Sequence, residues 1–174
     1  MGPVIVMGVS GCGKTSVGAL LAQRLGLPFI EGDRLHPAAN IARMSAGVPL
    51  EDTDRWPWLD EIGRVLATKA MAANGAIASC SALKQVYRER LRQAAGHDLR
   101  FVFLELSRSE LEQRMRVRAG HFMPATLLDS QLATLEPPAT EPGVLTLDGG
   151  AGLEHIVTVA ARWLQNKRPE ELPS

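Results

Sequence analysis

The segment GVSGCGKT, residues 8–15, follows the apolar run Val4-Ile5-Val6-Met7 and precedes a stretch in which Val17, Leu20, Leu21 and Leu25 recur at helical spacing. No other feature constrains the fold as strongly. A short continuous apolar run suits a strand buried on both faces, as in parallel sheets. Glycines let the connecting backbone turn with its N–H groups pointing inward, and the N-terminus of the following helix adds partial positive charge. The pattern G-x-x-x-x-G-K-[ST] in this setting predicts a phosphate-binding loop. Its candidate nucleotide-binding residues are Gly8, Val9, Ser10, Gly11, Cys12, Gly13, Lys14, Thr15 and Ser16. Lys14 is expected to reach the β- and γ-phosphates, and the Thr15 hydroxyl to ligate Mg²⁺. Cys12 is either a small side chain turned away from phosphate or a thiol activated by the helix N-terminus.

The rest of the chain repeats the alternation. Further strands are expected at Pro28–Ile30, Ala76–Cys80, Phe101–Leu106 and Val144–Leu147. Between them, helices are expected after Lys14 with a stop at Gly26, at about 37–44, and from a cap at Asp52 or Asp54 to Asn74-Gly75, with Pro57 in the first turn. Others run over about 84–95, after a capping box of Ser109 and Glu112, over 127–135, and along Ile156, Val159, Ala160, Trp163 and Leu164. Strands alternating with helices argue for a parallel α/β sheet covered on both sides. Residues 1–167 read as one domain and 168–174 as a loose tail.

Several function classes lose support at this point. Nineteen basic and nineteen acidic residues balance, so no global field favours nucleic acid or an anionic membrane. Two cysteines without metal-ligand spacing make neither a zinc site nor a disulfide framework, and no apolar run is long enough to span a bilayer. A cytoplasmic protein is expected. A GTPase switch would carry N-K-x-D, whereas Asn166-Lys167 continues Arg-Pro; an assembly ATPase would end a strand in an acid for Mg²⁺, whereas the third strand ends Ser79-Cys80-Ser81. A small-molecule kinase remains, with donor and acceptor sites in one short chain; a non-catalytic nucleotide-binding protein is the alternative from another class.

Two further segments bear on chemistry. In RMRVRAGHFMP, Arg114, Arg118 and His121 share one helical face, a candidate lid around 114–126 whose arginines would stabilise charge on a transferred phosphoryl group. The other reading is a solvated basic face paired with Glu110 and Glu112. FIEGDRLHP, residues 29–37, brings Asp33 to the carboxyl end of the second strand, where ligands bind in doubly wound sheets. There it would accept or orient the proton of an attacking hydroxyl, unless it only caps a helix. Glu31, on the opposite side of the strand, reads as structural. His36 is a hydrogen-bonding group for a polyol or a loop residue. Trp58 fits the core stripe of the long helix, with sugar stacking the alternative for it and Trp56. Lys84, Arg88 and Arg92 read mainly as a solvated face, and Gln131 and Glu136 as surface helix or acceptor-facing.

GVSGCGKTS, EGDRLHPAANIARMSAGVPLEDTDRWPWL, CSALKQVYRERLR and RAGHFMPATLLDSQLATLE together resemble the gluconokinase family, the small ATP:D-gluconate 6-phosphotransferases, over Val4 to about Trp163. The loop alone is widely shared; the combination is specific. The resemblance implies a fold like the nucleoside monophosphate kinases and shikimate kinase, with a five-stranded parallel sheet of order 2-3-1-4-5. It implies MgATP as donor, gluconate as acceptor and a cytosolic homodimer. By that resemblance Asp33 would hold the 6-hydroxyl, Arg55, Ser81 and Lys84 would line the acceptor pocket, and Arg114 and Arg118 would serve ATP from the lid, which makes Lys14, Asp33 and Arg118 the catalytic candidates; the carboxylate and hydroxyls of gluconate also suit His36, Arg43 and His121 as acceptor-binding groups. A shikimate or adenylylsulfate kinase-like enzyme is the nearest alternative.

Overall fold

The structure, a computed structural model, describes residues 1–117 and 125–166. Five strands, β1 (Pro3–Met7), β2 (Phe29–Glu31), β3 (Ala76–Ser79), β4 (Arg100–Glu105) and β5 (Val144–Asp148), form one sheet in the order β2-β3-β1-β4-β5, every pairing parallel. The order expected from the family resemblance is the one observed. Among the described residues seven α-helices lie between and after the strands: α1 (Lys14–Leu25), α2 (Ala38–Ser45), α3 (Asp52–Ala73), α4 (Gln85–Ala95), α5 (Arg108–Val117), α6 (Ala125–Thr134) and α7 (Leu153–Gln165). The candidate lid residues Arg118 and His121 and the tail 168–174 lie outside the described residues.

The continuous apolar runs follow from covering both faces of the sheet. Val4 and Val6 of β1 pack with Val102 and Leu104 of β4 against α1 and α7, through Val17, Leu21, Val157 and Leu164. Their neighbours Ile5, Met7, Phe101 and Phe103 point the other way, into Trp58, Leu59, Ile62 and Leu66 of α3 and Leu91 of α4. A strand alternates its side chains, so only a sheet with two cores makes every position apolar.

Among the differences from expectation, three have a clear local reason. Glu51 is the N-cap of α3, in a capping box with Asp54, so Asp52 is already helical and Pro57 lies one turn deeper than expected. Helix α5 is capped by Ser107 and Glu110 rather than Ser109 and Glu112: Ser107 N–H donates to Glu110 Oε2 at 2.8 Å, and Glu110 N–H to Ser107 Oγ at 3.4 Å. A 3₁₀ turn, Gly32–Leu35, follows β2 and carries Asp33. Asp33 therefore lies within a turn whose N-cap position is Glu31.

Candidate active site

Because all five strands are parallel, their carboxyl ends share one edge. There β1 passes into the phosphate loop, β2 into the Asp33 turn, β3 into Cys80–Lys84, β4 into α5 and β5 into Gly149–Gly152. The central position of β1 puts the loop between two halves of that edge.

The loop has the predicted geometry. Gly8, Gly11 and Gly13 have φ of 144°, 83° and 99°, in the region that favours glycine. Lys14 folds back so that Nζ donates to the Val9 carbonyl at 3.0 Å. Thr15 and Ser16 open to solvent on the first turn of α1. Cys12 is buried in the core beneath the loop, which answers the question its position raised: the thiol packs and does not face solvent. One partner of the loop comes from far along the chain, since Ser10 N–H donates to Gln131 Oε1 of α6 at 2.7 Å.

On the β4–β5 side lies a cleft of about 630 Å³, lined by the loop and α1 (Gly11, Gly13, Ser16), by α5 (Glu110, Gln113, Arg114) and by Gly149–Ala151, Leu153 and Ile156. Its size and mixed lining suit the nucleoside end of a nucleotide whose phosphates rest on the loop. Arg114 spans the cleft, donating to the carbonyls of Cys12 at 3.1 Å and Gly149 at 2.6 Å. Of this lining, the segment Gly149–Leu153 was not read from the sequence; the glycines of DGGAG after the fifth strand were its one signal.

On the β2–β3 side the remaining candidates gather. Trp58 is 1% exposed and donates Nε1–H to the Gly32 carbonyl at 2.8 Å, so the core side chain also fixes the turn bearing Asp33. A Cβ on Gly32 would run into the carbonyl of Ser79, so the turn needs glycine there. Glu31 bonds the Ser79 hydroxyl, and that hydroxyl accepts Gly32 N–H at 3.2 Å; this carboxylate holds structure. Asp33 reaches solvent, yet loss of hydration raises its carboxyl above the usual value, opposed by Lys14 and assisted by Glu31. His36 is buried, stacked on Trp58 with ring centres 3.9 Å apart, and burial together with Arg55 lowers its pKa to about 4. It is therefore neutral at physiological pH.

Cys80 closes the floor of this half. Burial pushes its thiol up to about 12, and it feels the charges of Asp33, Lys14 and Arg55 together. Arg55 lies 5.5 Å over the Tyr87 ring, and its Nε, like that of Arg43, is buried with no hydrogen-bond partner among the described residues. Arg43 also approaches Asp54 at 3.6 Å. Lys84 pairs with Asp52 at 2.9 Å, and Tyr87 OH donates to the same carboxylate. Trp56 packs edge-on against Tyr87 and beneath Arg90. Ser81 is half-buried, its carbonyl accepting Gly8 N–H at 3.3 Å.

The solvated face expected of Lys84, Arg88 and Arg92 is not what forms. Arg88 is 0% exposed and Arg92 covers the Phe101 ring at 4.9 Å, because α4 turns this face toward the segment before β5. Glu136, the other open reading, caps α4: its Oε2 accepts Gln85 N–H at 2.7 Å.

Comparison with known proteins identifies the family. A family model described as an AAA domain matches residues 4–138. A gluconokinase from Gluconobacter oxydans (strain 621H) is 52% identical over 148 residues, which is 84% of this chain and 82% of that protein. The crystal structure of a gluconokinase from Sinorhizobium meliloti 1021 superposes with a TM-score of 0.86 at 51% identity, covering 94% of this chain and 91% of that one. A Mycobacterium tuberculosis APS kinase, at 20% identity and a TM-score of 0.68 over 95% of this chain and 98% of that one, shares the fold alone. Identity at the level of the first two, sustained over most of both chains, means that the chain belongs to the gluconokinase family.

Proposed function

We propose that the protein transfers the γ-phosphoryl group of ATP to the 6-hydroxyl of D-gluconate, giving 6-phospho-D-gluconate by direct in-line displacement. The observation that carries the reading is the split of the sheet edge about β1, with a nucleoside-sized cleft on the β4–β5 side and Asp33, His36, Arg55 and Lys84 on the β2–β3 side. A phosphate loop between two such halves suits transfer from one bound molecule to another.

The acceptor half fits a sugar acid. Gluconate has one carboxylate and a row of hydroxyls. Lys84 is paired with Asp52 and Arg43 with Asp54, whereas Arg55 has no carboxylate partner among the described ion pairs and its Nε is buried without a hydrogen-bond partner, which suits it to a carboxylate. Neutral His36 and Ser81 serve hydroxyls without adding charge. Asp33, electrostatically coupled to Lys14, is aligned with the phosphate end and orients the 6-hydroxyl. Its raised pKa brings it toward the range of a useful general base.

Among the described residues no group of three His, Cys, Asp or Glu is arranged to hold a metal. The Thr15 hydroxyl on the open first turn of α1 fits Mg²⁺ arriving with ATP, the other ligands being phosphate oxygens and water. That ion would neutralise charge on the phosphates. Arg118 and His121, in the candidate lid around 114–126, enter the proposal from their helical spacing and the family resemblance, a homodimer from the resemblance alone, and a cytoplasmic protein without nucleic-acid or membrane partners from composition and hydropathy. Among the described residues no helix is long and apolar enough to cross a membrane.

Phosphorus NMR of the product tests the reading. A phosphomonoester signal coupled to the two protons on C6 of gluconate is expected; phosphate on another carbon, or no ester at all, would overturn it.

A further inference from the structure

Arg88 is a guanidinium with no exposed surface, midway along the first half of α4. Nη1 donates to the carbonyls of Ala82 at 2.8 Å and Leu83 at 3.1 Å, Nη2 to the carbonyl of Glu136 at 3.0 Å, and Nε to both carboxylate oxygens of Glu141 at 3.0 Å. A buried ion pair is a poor way to gain stability, since apolar side chains of similar volume often do as well or better. Here the pair directs three hydrogen bonds at backbone carbonyls, which specifies geometry.

Two of those carbonyls, of Ala82 and Leu83, belong to the β3–α4 segment, which carries Ser81 and Lys84. It needs holding: Ala82 has φ of 45°, a left-handed conformation that a non-glycine residue keeps only when its surroundings impose it. The segment is tied at both ends as well. Gly8 N–H of the phosphate loop donates to the Ser81 carbonyl at 3.3 Å, Glu136 N–H to the Leu83 carbonyl at 2.8 Å, and Gln85 N–H to Glu136 Oε2 at 2.7 Å. Arg88 sits where these ties converge.

We propose that Arg88, oriented by Glu141, is a positioning residue for the acceptor: it fixes the Ser81–Lys84 backbone relative to the phosphate loop, so that the groups of this segment stand where gluconate binds. The proposal rests on reading that segment as part of the gluconate site. Arg88 touches neither substrate; its effect passes through the loop.

Steady-state kinetics of Arg88→Lys and Glu141→Gln test it, with ATP and gluconate each varied at a temperature where circular dichroism shows a folded protein. Lysine keeps the charge and loses the planar fork. The expected result is a rise of about tenfold or more in the KM for gluconate with the KM for ATP changed by less than about twofold, since a small misplacement remote from the chemistry is costly. Leu164→Ala, a core truncation in α7 across the sheet, is the control: a lower Tm with both KM values unchanged. An unchanged KM for gluconate in the folded variants, or an equal rise in both, would overturn the proposal. Should both variants fail to fold, Glu136→Ala, at an exposed side chain, must still raise the KM for gluconate alone. If the wild-type protein fails to phosphorylate gluconate, the functional reading falls. Arg88→Lys is then read by amide exchange: faster exchange at Gln85 with β1 and β4 unchanged supports positioning, and unchanged exchange at Gln85 overturns it.

Discussion

Asp33 and His36 stand three residues apart and titrate in opposite directions for one reason. Burial disfavours the charged form, which raises an acid and lowers a base. For Asp33 the consequence is kinetic. The acid limb of kcat/KM should lie above the ordinary aspartate range, and Glu31→Gln, which removes one raising influence, should move it down; a limb that does not move would show that another group titrates. Asp33→Asn is expected to lower kcat by about 10²–10⁴-fold while ATP affinity holds. For His36 the consequence is stability. Its pKa falls from 6.5 in the unfolded chain to about 4 when folded, so the unfolded state binds the extra proton between those values. Stability is fully present above pH 6.5 and declines toward pH 4, by up to about 3 kcal/mol for this group. Urea unfolding of His36→Gln across that window should show a flatter slope than the wild type.

Among elements, α5 separates two accounts of its start. Ser107→Ala removes the observed cap and should cost about 1 kcal/mol in denaturant unfolding, whereas Ser109→Ala should cost less than half of that. Equal costs would restore the cap inferred from sequence. Helices and strands were legible because their periods are local: Val4–Met7 read as a doubly buried strand, Phe101–Leu106 as a further strand, and Gly26, with φ of 67°, as a helix stop. The 3₁₀ turn at 32–35 was not legible, since what shapes it is the Trp58 indole and the Ser79 hydroxyl from distant segments. Arg88 was misread for a related reason. Its spacing with Lys84 and Arg92 describes a face, and only the fold decides whether that face meets water or Glu141.

At the scale of the molecule, the order β2-β3-β1-β4-β5 gives the phosphate loop its place, because whatever follows β1 stands between the two halves of the sheet edge. The phosphate loop and Asp33 were legible in the sequence, being short motifs with a known place at the strand ends. Gln131 against the loop and Gly149–Leu153 in the cleft beside it were not, since each meets the loop or its cleft only when remote segments fold together. The account stands or falls on the acceptor. The most direct measurement is kcat/KM with saturating MgATP over a panel of gluconate, shikimate, adenylylsulfate and nucleoside monophosphates. The account predicts that gluconate exceeds every other acceptor by at least about 10³-fold, as expected of a pocket built to pair a carboxylate and several hydroxyls. Comparable turnover of shikimate or a nucleoside monophosphate, or no transfer to any of them, would contradict it.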